Sequence, residues 1–374
     1  MLFDEDVKED VKDFFNREED IDSLRGALVE GRKLILVLGI RRIGKSSLIR
    51  VVLNLMKNPY IYFDVRGIYQ KYNFINSYSI YQMVEENVNK IVSSKLWRRF
   101  KEYLGRVSSI EISPTGIRVD LGGKVNRGFP ILYRLLEAMD EWSGNEGRRA
   151  IIVFDEGQYL RYSRLNFRGL IAYIYDNLKN ISLILSGSEV GLLHDFLGID
   201  NPKSELYGRY YYEVTLERLS REESINFLRR GFEEYRVKPS NEFLEEAVNY
   251  LNGVIGWLVF FGRISIDKNL VNKRESIMET FIQGSKLVRR ELEELFQRSR
   301  RYRYILESIS LNRRRWSEIK SYIISKELQP LSDPALHELL LNLQKMGIIE
   351  KKHEDGEVTY NITDSILKYT IQNL

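Results

Sequence analysis

The sequence contains no cysteine and only three histidines, and this limits the metal sites that it can build. Without cysteine the chain forms no disulfide and offers no thiolate ligand to a metal. The histidines, His194, His337 and His353, lie far apart along the chain, which argues against a histidine-based metal site. Sites that depend on sulfur or on clustered imidazoles are therefore not expected in this protein.

Long apolar runs are also absent. No run reaches the length of a membrane-spanning helix, and the N-terminus, MLFDEDVKEDVKDFF, is acidic and does not resemble a signal peptide. We therefore expect a cytoplasmic protein with no membrane partner. Its 374 residues, 43% hydrophobic and 29% charged, are typical of a soluble globular protein of two or three domains.

The overall charge does not indicate a partner, because the formal net charge is only +4. The charges are unevenly distributed, however. Residues 1–20 contain nine acidic and three basic side chains, whereas residues 286–320 contain eleven basic and five acidic ones. Negative charge thus concentrates at the N-terminus, and positive charge lies toward the C-terminus.

A phosphate-binding motif is the most informative stretch of the chain. The apolar run Leu34–Leu38 predicts a short strand buried on both faces, and apolar residues at helical spacing follow from Ser47. A strand, a glycine loop and a helix in this order predict a nucleotide-binding P-loop. The loop matches G-x-x-x-x-G-K-[ST] at every position: Gly39, Ile40, Arg41, Arg42, Ile43, Gly44, Lys45 and Ser46.

The chemistry of the loop follows from its backbone and two of its side chains. Glycines allow successive N–H groups to point inward around an anion, and the following helix adds the positive end of its dipole. We expect Lys45 to reach the β- and γ-phosphates, and the Ser46 hydroxyl to bind Mg²⁺. Because the contacts in the middle of the loop come from the backbone, we expect the Arg41 and Arg42 side chains to face outward, toward the lid or a partner.

A pair of carboxylates marks a second motif, about 110 residues after the first. The run Ala150–Phe154 predicts a buried strand, and Asp155 and Glu156 follow at its C-terminal end, where parallel sheets bind ligands. We interpret Asp155 as the Mg²⁺ ligand that acts with Ser46, and Glu156 as the base that orients and deprotonates water. The two motifs together predict hydrolysis of a nucleotide as well as binding.

Two further candidates stay open at this level. The strand predicted over residues 181–185 ends in Ser186-Gly-Ser188, where a hydroxyl could sense the γ-phosphate or the lytic water, or simply end the strand. Arg209 could complete the charge neutralisation of the transferring phosphoryl group, or be an ordinary surface arginine. Spacing alone decides neither case.

Helical patterns dominate much of the remaining chain. Residues Tyr69–Tyr81 predict a loop that enters an amphipathic helix over Ile80–Leu104. The stretch Trp97–Lys101 mixes aromatic and basic residues, as nucleic-acid surfaces do, but we interpret it as packed rings beside solvated charges. Further helices are predicted over Glu222–Tyr235, Asn241–Asn252 and Leu270–Phe296.

The last part of the chain, about 75 residues, predicts a winged helix-turn-helix. Three helices precede a β-hairpin there: Tyr302–Leu311, Trp316–Ile323 and Pro334–Met346, then Ile348–Lys352 and Val358–Ile362. The predicted domains are a P-loop core at 1–213, a helical lid at 214–296 and a winged helix at 297–374.

The partner of the winged helix, DNA or protein, is left open. Its third helix carries one lysine, one histidine and one glutamate, a poor surface for the major groove, and residues 321–374 contain five basic and eight acidic side chains. The positive charge lies upstream, at Arg298, Arg300, Arg301, Arg303 and Arg313–Arg315. These arginines could contact phosphate, belong to a solvated linker or contact the acidic N-terminus.

Taken together, the motifs resemble the archaeal-type P-loop ATPase family, which is related to the AAA+ and STAND ATPases. The resemblance covers roughly residues 14–260, and the winged helix also fits. The combination of Arg-Arg-x-Gly-Lys-Ser-Ser-Leu with Asp-Glu-x-Gln-Tyr is more specific than a P-loop alone. The segments that carry it are Phe15–Glu18, Gly39–Leu48, Val153–Tyr159, Leu185–Ser188 and Leu206–Arg209.

This resemblance implies an α/β fold: a P-loop NTPase of the ASCE or AAA+ type with a parallel sheet core, an all-α lid and a C-terminal winged helix. It implies that Phe15 and Arg17 lie near the adenine and that Ser186 or Ser188 is the first sensor. It further implies that Arg209 acts like an arginine finger. Gly256 stands at or near the place of a proline in the lid sensor region of the family.

The predicted function is a Mg²⁺-dependent ATPase that binds ATP and ADP through Gly39–Ser47 and acts as a conformational switch. Lys45, Glu156, Ser188 and Arg209 would be catalytic. Alternatives are a DNA-binding AAA+-like loader or remodeller, and a non-hydrolysing nucleotide-binding scaffold whose winged helix binds protein. The oligomeric state is left open, and so is the question whether Arg209 acts in its own subunit or in a neighbouring one.

Overall fold

A parallel β-sheet forms the centre of the fold, in a computed structural model that describes residues 1–91, 100, 103–104, 110–113, 116–119, 128–354 and 356–374. The strands are β1 (Leu34–Leu38), β2 (Tyr60–Asp64), β3 (Ile110–Ser113), β4 (Gly116–Val119), β5 (Ala150–Asp155), β6 (Ile181–Gly187), β7 (Tyr212–Thr215), β8 (Ile349–Glu354) and β9 (Glu357–Ile362). The central sheet has the order β2-β5-β6-β1-β7, and every neighbouring pair runs parallel. The carboxyl ends of these five strands therefore lie at one edge.

Helices cover the sheet and build the rest of the chain. They are α1 (Glu18–Val29), α2 (Lys45–Met56), α3 (Val65–Tyr72), α4 (Ser77–Ile91), α5 (Gly128–Asn145), α6 (Phe167–Asn177), α7 (Val190–Leu197), α8 (Arg221–Glu234), α9 (Asn241–Leu251), α10 (Ile255–Asp267), α11 (Glu275–Arg298), α12 (Arg300–Ser310), α13 (Trp316–Glu327), α14 (Asp333–Lys345) and α15 (Ser365–Gln372). Short 3₁₀ turns lie at Val11–Asp13 and Gly157–Tyr162. Among the described residues, no helix combines the length and apolar character needed to cross a membrane.

The central strands confirm the strand predictions. Every residue of β1, β5 and β6 is buried, because helices pack on both faces of the sheet. Strands of this kind are apolar almost throughout rather than alternating, which explains why they stand out in the sequence. Their carboxyl ends place the P-loop after β1 beside the acids at the end of β5.

The predicted loop over Tyr69–Tyr81 is wrong in its first part, because α3 extends to Tyr72. Asp64 at the end of β2 starts this helix, since its carboxylate accepts a hydrogen bond from the N–H of Gly67 (2.9 Å). In the predicted helix over Ile80–Leu104, Trp97 lies outside the described residues.

The helical lid comprises α8–α11, and the N-terminus inserts into its core. Phe3 is fully buried and packs edge to face on Phe227 and Phe232. Two helical glycines make room for its ring, since a Cβ at Gly231 or Gly262 would lie within 2.5 Å of it. The N-terminal segment is thereby fixed to the lid.

The C-terminal helices and hairpin form a winged helix that shares its apolar core with the lid. Helix α15 packs on α11, where Ile366 fills the space above Gly284. Residue 213 falls inside β7 and residue 296 near the end of α11. The domain boundaries after these two positions stay predictions.

Candidate nucleotide-binding site

The P-loop wraps between β1 and α2 in a backbone conformation that needs glycine. Gly39 has a φ of 143° and Gly44 a φ of 103°, both outside the range of most L side chains. A Cβ at Gly39 would also lie 2.7 Å from the carbonyl oxygen of Leu216, so the loop passes too close to its neighbour for any side chain. Helix α2 begins immediately afterwards at Lys45, which leaves its first N–H groups free to face an anion.

The Lys45 side chain is folded back into the loop. Its ammonium group is buried and donates to the carbonyl oxygens of Gly39 (3.1 Å) and Ile40 (3.2 Å). It also lies 3.7 Å from Oε1 of Glu156. Burial lowers the pKa of Lys45, and the charge of Glu156 opposes that shift. The loop lysine and the second acid therefore face each other in one buried site.

Asp155 is held by three hydroxyl groups. Its Oδ2 accepts hydrogen bonds from Ser46 Oγ (2.7 Å) and from the Tyr62 hydroxyl (2.5 Å), and its Oδ1 accepts one from Ser186. The two predicted Mg²⁺ ligands, Ser46 and Asp155, are thus in direct contact. A hydroxyl and a carboxylate supply the hard oxygen atoms that Mg²⁺ prefers, and this ion usually completes its shell with water and substrate phosphate. The donor set fits Mg²⁺.

Glu156 occupies a strained position at the end of β5, with a φ of 54°. Its Oε2 accepts hydrogen bonds from Ser188 Oγ and from Gln158 Nε2, both at 2.6 Å. Burial alone would raise the pKa of this carboxyl group, but Lys45, Ser188 and Gln158 outweigh burial and lower its pKa to about 2. The side chain is therefore a half-buried carboxylate, held by Ser188, Gln158 and the loop lysine.

The two candidate sensor serines contact different acids. Ser186 donates to Asp155 and accepts a hydrogen bond from the backbone N–H of Glu156 (3.0 Å), so it links the two acids. Ser188 donates to the carboxylate of Glu156 itself. Of the two, Ser188 is the one placed to respond to a change at the Glu156 carboxylate.

The two arginines inside the loop point away from it, toward the lid. Arg41 forms ion pairs with Glu291 on α11 (2.5 Å) and with Glu189 (3.3 Å). The guanidinium of Arg42 stacks over the Trp257 ring of α10, 4.3 Å from its centroid. Both side chains therefore face outward from the loop and contact the lid.

A cleft of about 360 Å³ opens beside the loop, between the core, the lid and the N-terminal segment. Phe15 lines this cleft, and its position near an adenine stays a prediction. Arg17 does not line the cleft, because its guanidinium is buried against the Glu217 carbonyl oxygen (2.6 Å) and Asp20. Apolar side chains form a large part of the cleft wall: Leu2, Val7, Phe14, Phe227, Ile255, Trp257, Val259, Phe260 and Leu287.

The N-terminal segment forms part of the wall of this cleft, which sequence reasoning missed. The N–H of Lys8 donates to Ser47 Oγ of the P-loop helix (3.1 Å), and Asn54 of α2 donates to the Glu9 carbonyl (2.9 Å). Its acidic side chains Asp4 and Asp6 belong to the cleft lining. The cluster of acids in residues 1–20 was the available signal, but its position depends on burial of Phe3 in the lid.

Arg209 lies at the opposite edge of the sheet from the P-loop. It precedes β7, in which Tyr212 pairs with Ile35 near the start of β1, whereas the P-loop follows the end of β1. Its guanidinium forms an ion pair with Asp176 (2.6 Å) at the end of α6. Within one chain, the structure does not bring Arg209 together with Lys45 and Glu156.

This geometry defines a P-loop nucleotide site with two acids beside it, in a core that carries a helical lid and a winged helix. A family model described as an ATPase domain predominantly from Archaea matches residues 14–260, and the chain belongs to this family. A second model, for the C-terminal winged helix-turn-helix domain of MCM proteins, matches residues 297–363. The protein is an ATPase of the archaeal type, and the predicted resemblance is confirmed.

Solved structures agree with this assignment. The Walker-type ATPase of Pyrococcus abyssi is 35% identical, the match covers 100% of both chains, and the TM-score is 0.82. The ORC2 protein of Aeropyrum pernix, solved in ADPNP–ADP complexes, is 15% identical over 100% of this chain and 97% of that one. Its TM-score of 0.58 indicates a common fold. A search of curated proteins returned no match.

Proposed function

We propose that the protein is a Mg²⁺-dependent ATPase that uses ATP binding and hydrolysis as a conformational switch. The observation that carries this proposal is the pair of contacts by which the loop arginines join the nucleotide site to the lid. Arg41 pairs with Glu291, and Arg42 stacks on Trp257. A change at the P-loop backbone would move these side chains and with them the lid.

The chemical roles follow from the buried groups. Lys45 would hold the β- and γ-phosphates, and Ser46 with Asp155 would hold Mg²⁺, whose charge offsets that of the phosphates. Glu156 is a carboxylate at neutral pH and would accept a proton from the attacking water. Ser188 donates to that carboxylate, so a change in the charge or position of Glu156 would move Ser188 at the end of β6. The P-loop N–H groups from Gly39 to Ser47 would cradle the phosphates.

A continuous series of contacts leads from the loop to the winged helix. The Arg42 carbonyl accepts a hydrogen bond from the N–H of Gly256 at the start of α10 (2.9 Å). Next in that helix, Trp257 donates from its indole nitrogen to Asp364 Oδ2 (2.7 Å), and Asp364 caps α15. Movement of the loop would therefore reach the winged helix through Trp257 and Asp364.

The recognition helix of the winged helix is packed against the core. A Cβ at Gly191 of α7 would lie 2.7 Å from the Cα of Lys345 at the end of α14, and Lys345 pairs with Asp195 (2.7 Å). Gly347 also lies close to the Ser188 carbonyl. We infer that nucleotide-driven opening releases this helix for a partner, and that the winged helix is the output of the switch.

The absence of cysteine allows a direct test, because two introduced cysteines are the sole sites for spin labels. Val29→Cys on α1 and Met278→Cys on α11 are both at exposed positions, one in the core and one in the lid. In the background of Glu156→Gln, Mg²⁺ and ATP should shift the distance between the labels relative to the nucleotide-free protein. An unchanged distance distribution would contradict the switch.

The DNA-binding alternative has one observation in its favour, the match of residues 297–363 to the winged helix of MCM proteins. Three of the arginines that could contact phosphate are engaged within the chain. Arg313 lies over the ring of Tyr322, Arg314 donates to Asn361 (2.7 Å), and Arg315 pairs with Glu357. We therefore favour a protein partner over duplex DNA.

The role of Arg209 belongs to the same proposal. Because it lies at the opposite edge of the sheet, it would act only on the nucleotide of a neighbouring subunit. Arg209→Ala should then lower turnover in an oligomer and leave turnover of isolated chains unchanged. Native mass measured beside ATPase activity, with and without DNA, tests the assembly, the partner and the reaction together.

A further inference from the structure

One buried tyrosine outside both sequence motifs reaches the predicted metal site. Tyr62 lies on β2, two residues before the end of that strand, and pairs in register with Val153 of β5. Its side chain is 5% exposed, and its hydroxyl donates to Asp155 Oδ2 at 2.5 Å. This tyrosine therefore touches the carboxylate that is expected to face Mg²⁺.

The hydroxyls of Tyr62 and of Ser46, the other expected Mg²⁺ ligand, donate to the same oxygen atom of Asp155. Asp155 Oδ2 accepts from both Tyr62 and Ser46, while Oδ1 accepts from Ser186. Ser46 and Ser186 belong to the segments that form the site, whereas Tyr62 comes from a neighbouring strand. It is the contact that fixes the carboxylate from the side of β2.

The ring of Tyr62 is itself held in place. Arg50 of α2 lies over it, with the guanidinium carbon 3.9 Å from the ring centroid, and apolar side chains of α2 surround it. A phenol hydroxyl carries its proton at neutral pH, so Tyr62 is the donor in its contact with Asp155.

We propose that Tyr62 is a positioning residue for the Mg²⁺ site, in that its hydroxyl orients Asp155 toward Ser46. This inference rests on the proposed function, which assigns Mg²⁺ to these two residues. Mg²⁺ demands near-ideal octahedral geometry, so a carboxylate oriented in advance binds it at lower cost. Loss of an outer hydrogen bond to a metal-ligating side chain typically lowers metal affinity by about 10- to 100-fold.

Tyr62→Phe tests the role, because it removes the hydroxyl and keeps the ring that packs beneath Arg50. ATP affinity is measured by calorimetry in EDTA and over a series of Mg²⁺ concentrations. We expect Tyr62→Phe to need about tenfold more Mg²⁺ for its full gain in ATP affinity. Its affinity in EDTA should equal that of the wild-type protein.

Tyr60→Phe is the matched control, since Tyr60 is partly buried and precedes Tyr62 by two residues on the same face of β2. It should leave the Mg²⁺ dependence of ATP binding unchanged. A full wild-type Mg²⁺ response in Tyr62→Phe would overturn the inference, and so would an equal loss of affinity with and without Mg²⁺. If the wild-type protein itself shows no Mg²⁺ response, the proposed function fails and this inference fails with it.

Discussion

Single residues in the nucleotide site satisfy one another's charges and hydrogen bonds. Lys45 lies against the loop carbonyl oxygens and Glu156, while Asp155 accepts three hydrogen bonds. Buried charges are costly unless they are paired or hydrogen-bonded, so this mutual arrangement stabilises the site. ATP phosphates would compete with Glu156 for Lys45 and leave the carboxylate to water.

The first prediction at this scale concerns Glu156→Gln. The amide keeps the size of the side chain but cannot take a proton from water, so turnover should fall by about 10²- to 10⁴-fold. Calorimetry should find ATP binding retained. Wild-type turnover in this variant would show that Glu156 is not the general base.

The second prediction is a pH effect on stability from the same residue. A pKa of about 2 in the folded protein lies below the ordinary value of 4.5, so the stabilising contribution is complete above pH 4.5 and declines as the pH falls toward 2. The difference in unfolding free energy between wild type and Glu156→Gln should shrink by about 2 kcal/mol from about pH 6.5 to about pH 3. Urea unfolding at both pH values measures it, and a constant difference would contradict the lowered pKa.

The third prediction concerns the glycines around Phe3. A Cβ at Gly231 would lie 2.3 Å from the ring of Phe3, whereas a Cβ at Gly26 in α1 meets nothing within 4 Å. Gly231→Ala should therefore lower the free energy of unfolding by about 1–3 kcal/mol through overpacking. Gly26→Ala should raise it by up to about 1 kcal/mol, because alanine favours the helix. Urea unfolding of both variants compares them, and equal stabilities would argue against a tight Phe3 socket.

At the scale of elements, Glu291 of α11 joins the lid to three arginines of the core. Glu291 accepts contacts from Arg41 (2.5 Å), Arg42 (3.8 Å) and Arg66 (3.0 Å), the last of which comes from α3. Burial would raise the pKa of Glu291, but the three arginines outweigh it and lower the pKa. Helix α11 is thus tied to the P-loop and to the helix after β2 at a single point.

Glu291→Gln should therefore weaken the attachment of the lid. It leaves partly buried guanidinium groups without their carboxylate, so it should cost less than the about 3–5 kcal/mol typical of a fully buried pair, and Glu189 offsets part of the loss for Arg41. With Glu291→Gln, the spin labels on α1 and α11 should show a broader distance distribution than the same labels in the protein that keeps Glu291. Glu293→Gln, at an exposed position on the same helix, is the control and should change neither quantity. An unaltered distribution in Glu291→Gln would place the attachment elsewhere.

At the scale of the whole molecule, the winged helix packs against both the lid and the core. Its apolar core continues into the lid, and its recognition helix lies against α7 of the core. The surface that reads DNA in other winged helices is thus partly occupied by its own chain. Under the proposed switch, access to that surface would depend on the relative position of core and lid.

The prediction at this scale is a weak response of DNA binding to salt. Because Arg313–Arg315 are engaged within the chain, few phosphates should be neutralised, and the log–log slope of duplex affinity against salt should be near zero. Fluorescence anisotropy with a labelled duplex measures the slope. A steep slope that disappears when all three arginines are replaced by alanine would favour the DNA-binding alternative.

Several features were readable from the sequence because their causes are local. Leu34–Leu38 and Ala150–Phe154 are apolar runs of strand length, and the glycine positions of the P-loop follow from backbone geometry. Helix α3 was missed because an aspartate such as Asp64 can either end a strand or cap a helix. The hydrogen bond from the Gly67 N–H to the Asp64 carboxylate shows that it caps a helix here. Local pattern therefore determined the core strands and left such boundaries open.

The amino-acid sequence by itself determined the P-loop, the two acids, the class of ATPase and the order of the three regions, because each depends on residues close together in the chain. The tertiary structure decided the rest. It brings Tyr62 to Asp155, Glu291 to Arg41, and the N-terminal segment to the wall of the cleft. It also separates Arg209 from the P-loop. These relations depend on packing between distant segments, which is governed by the shape and burial of whole elements rather than by spacing along the chain.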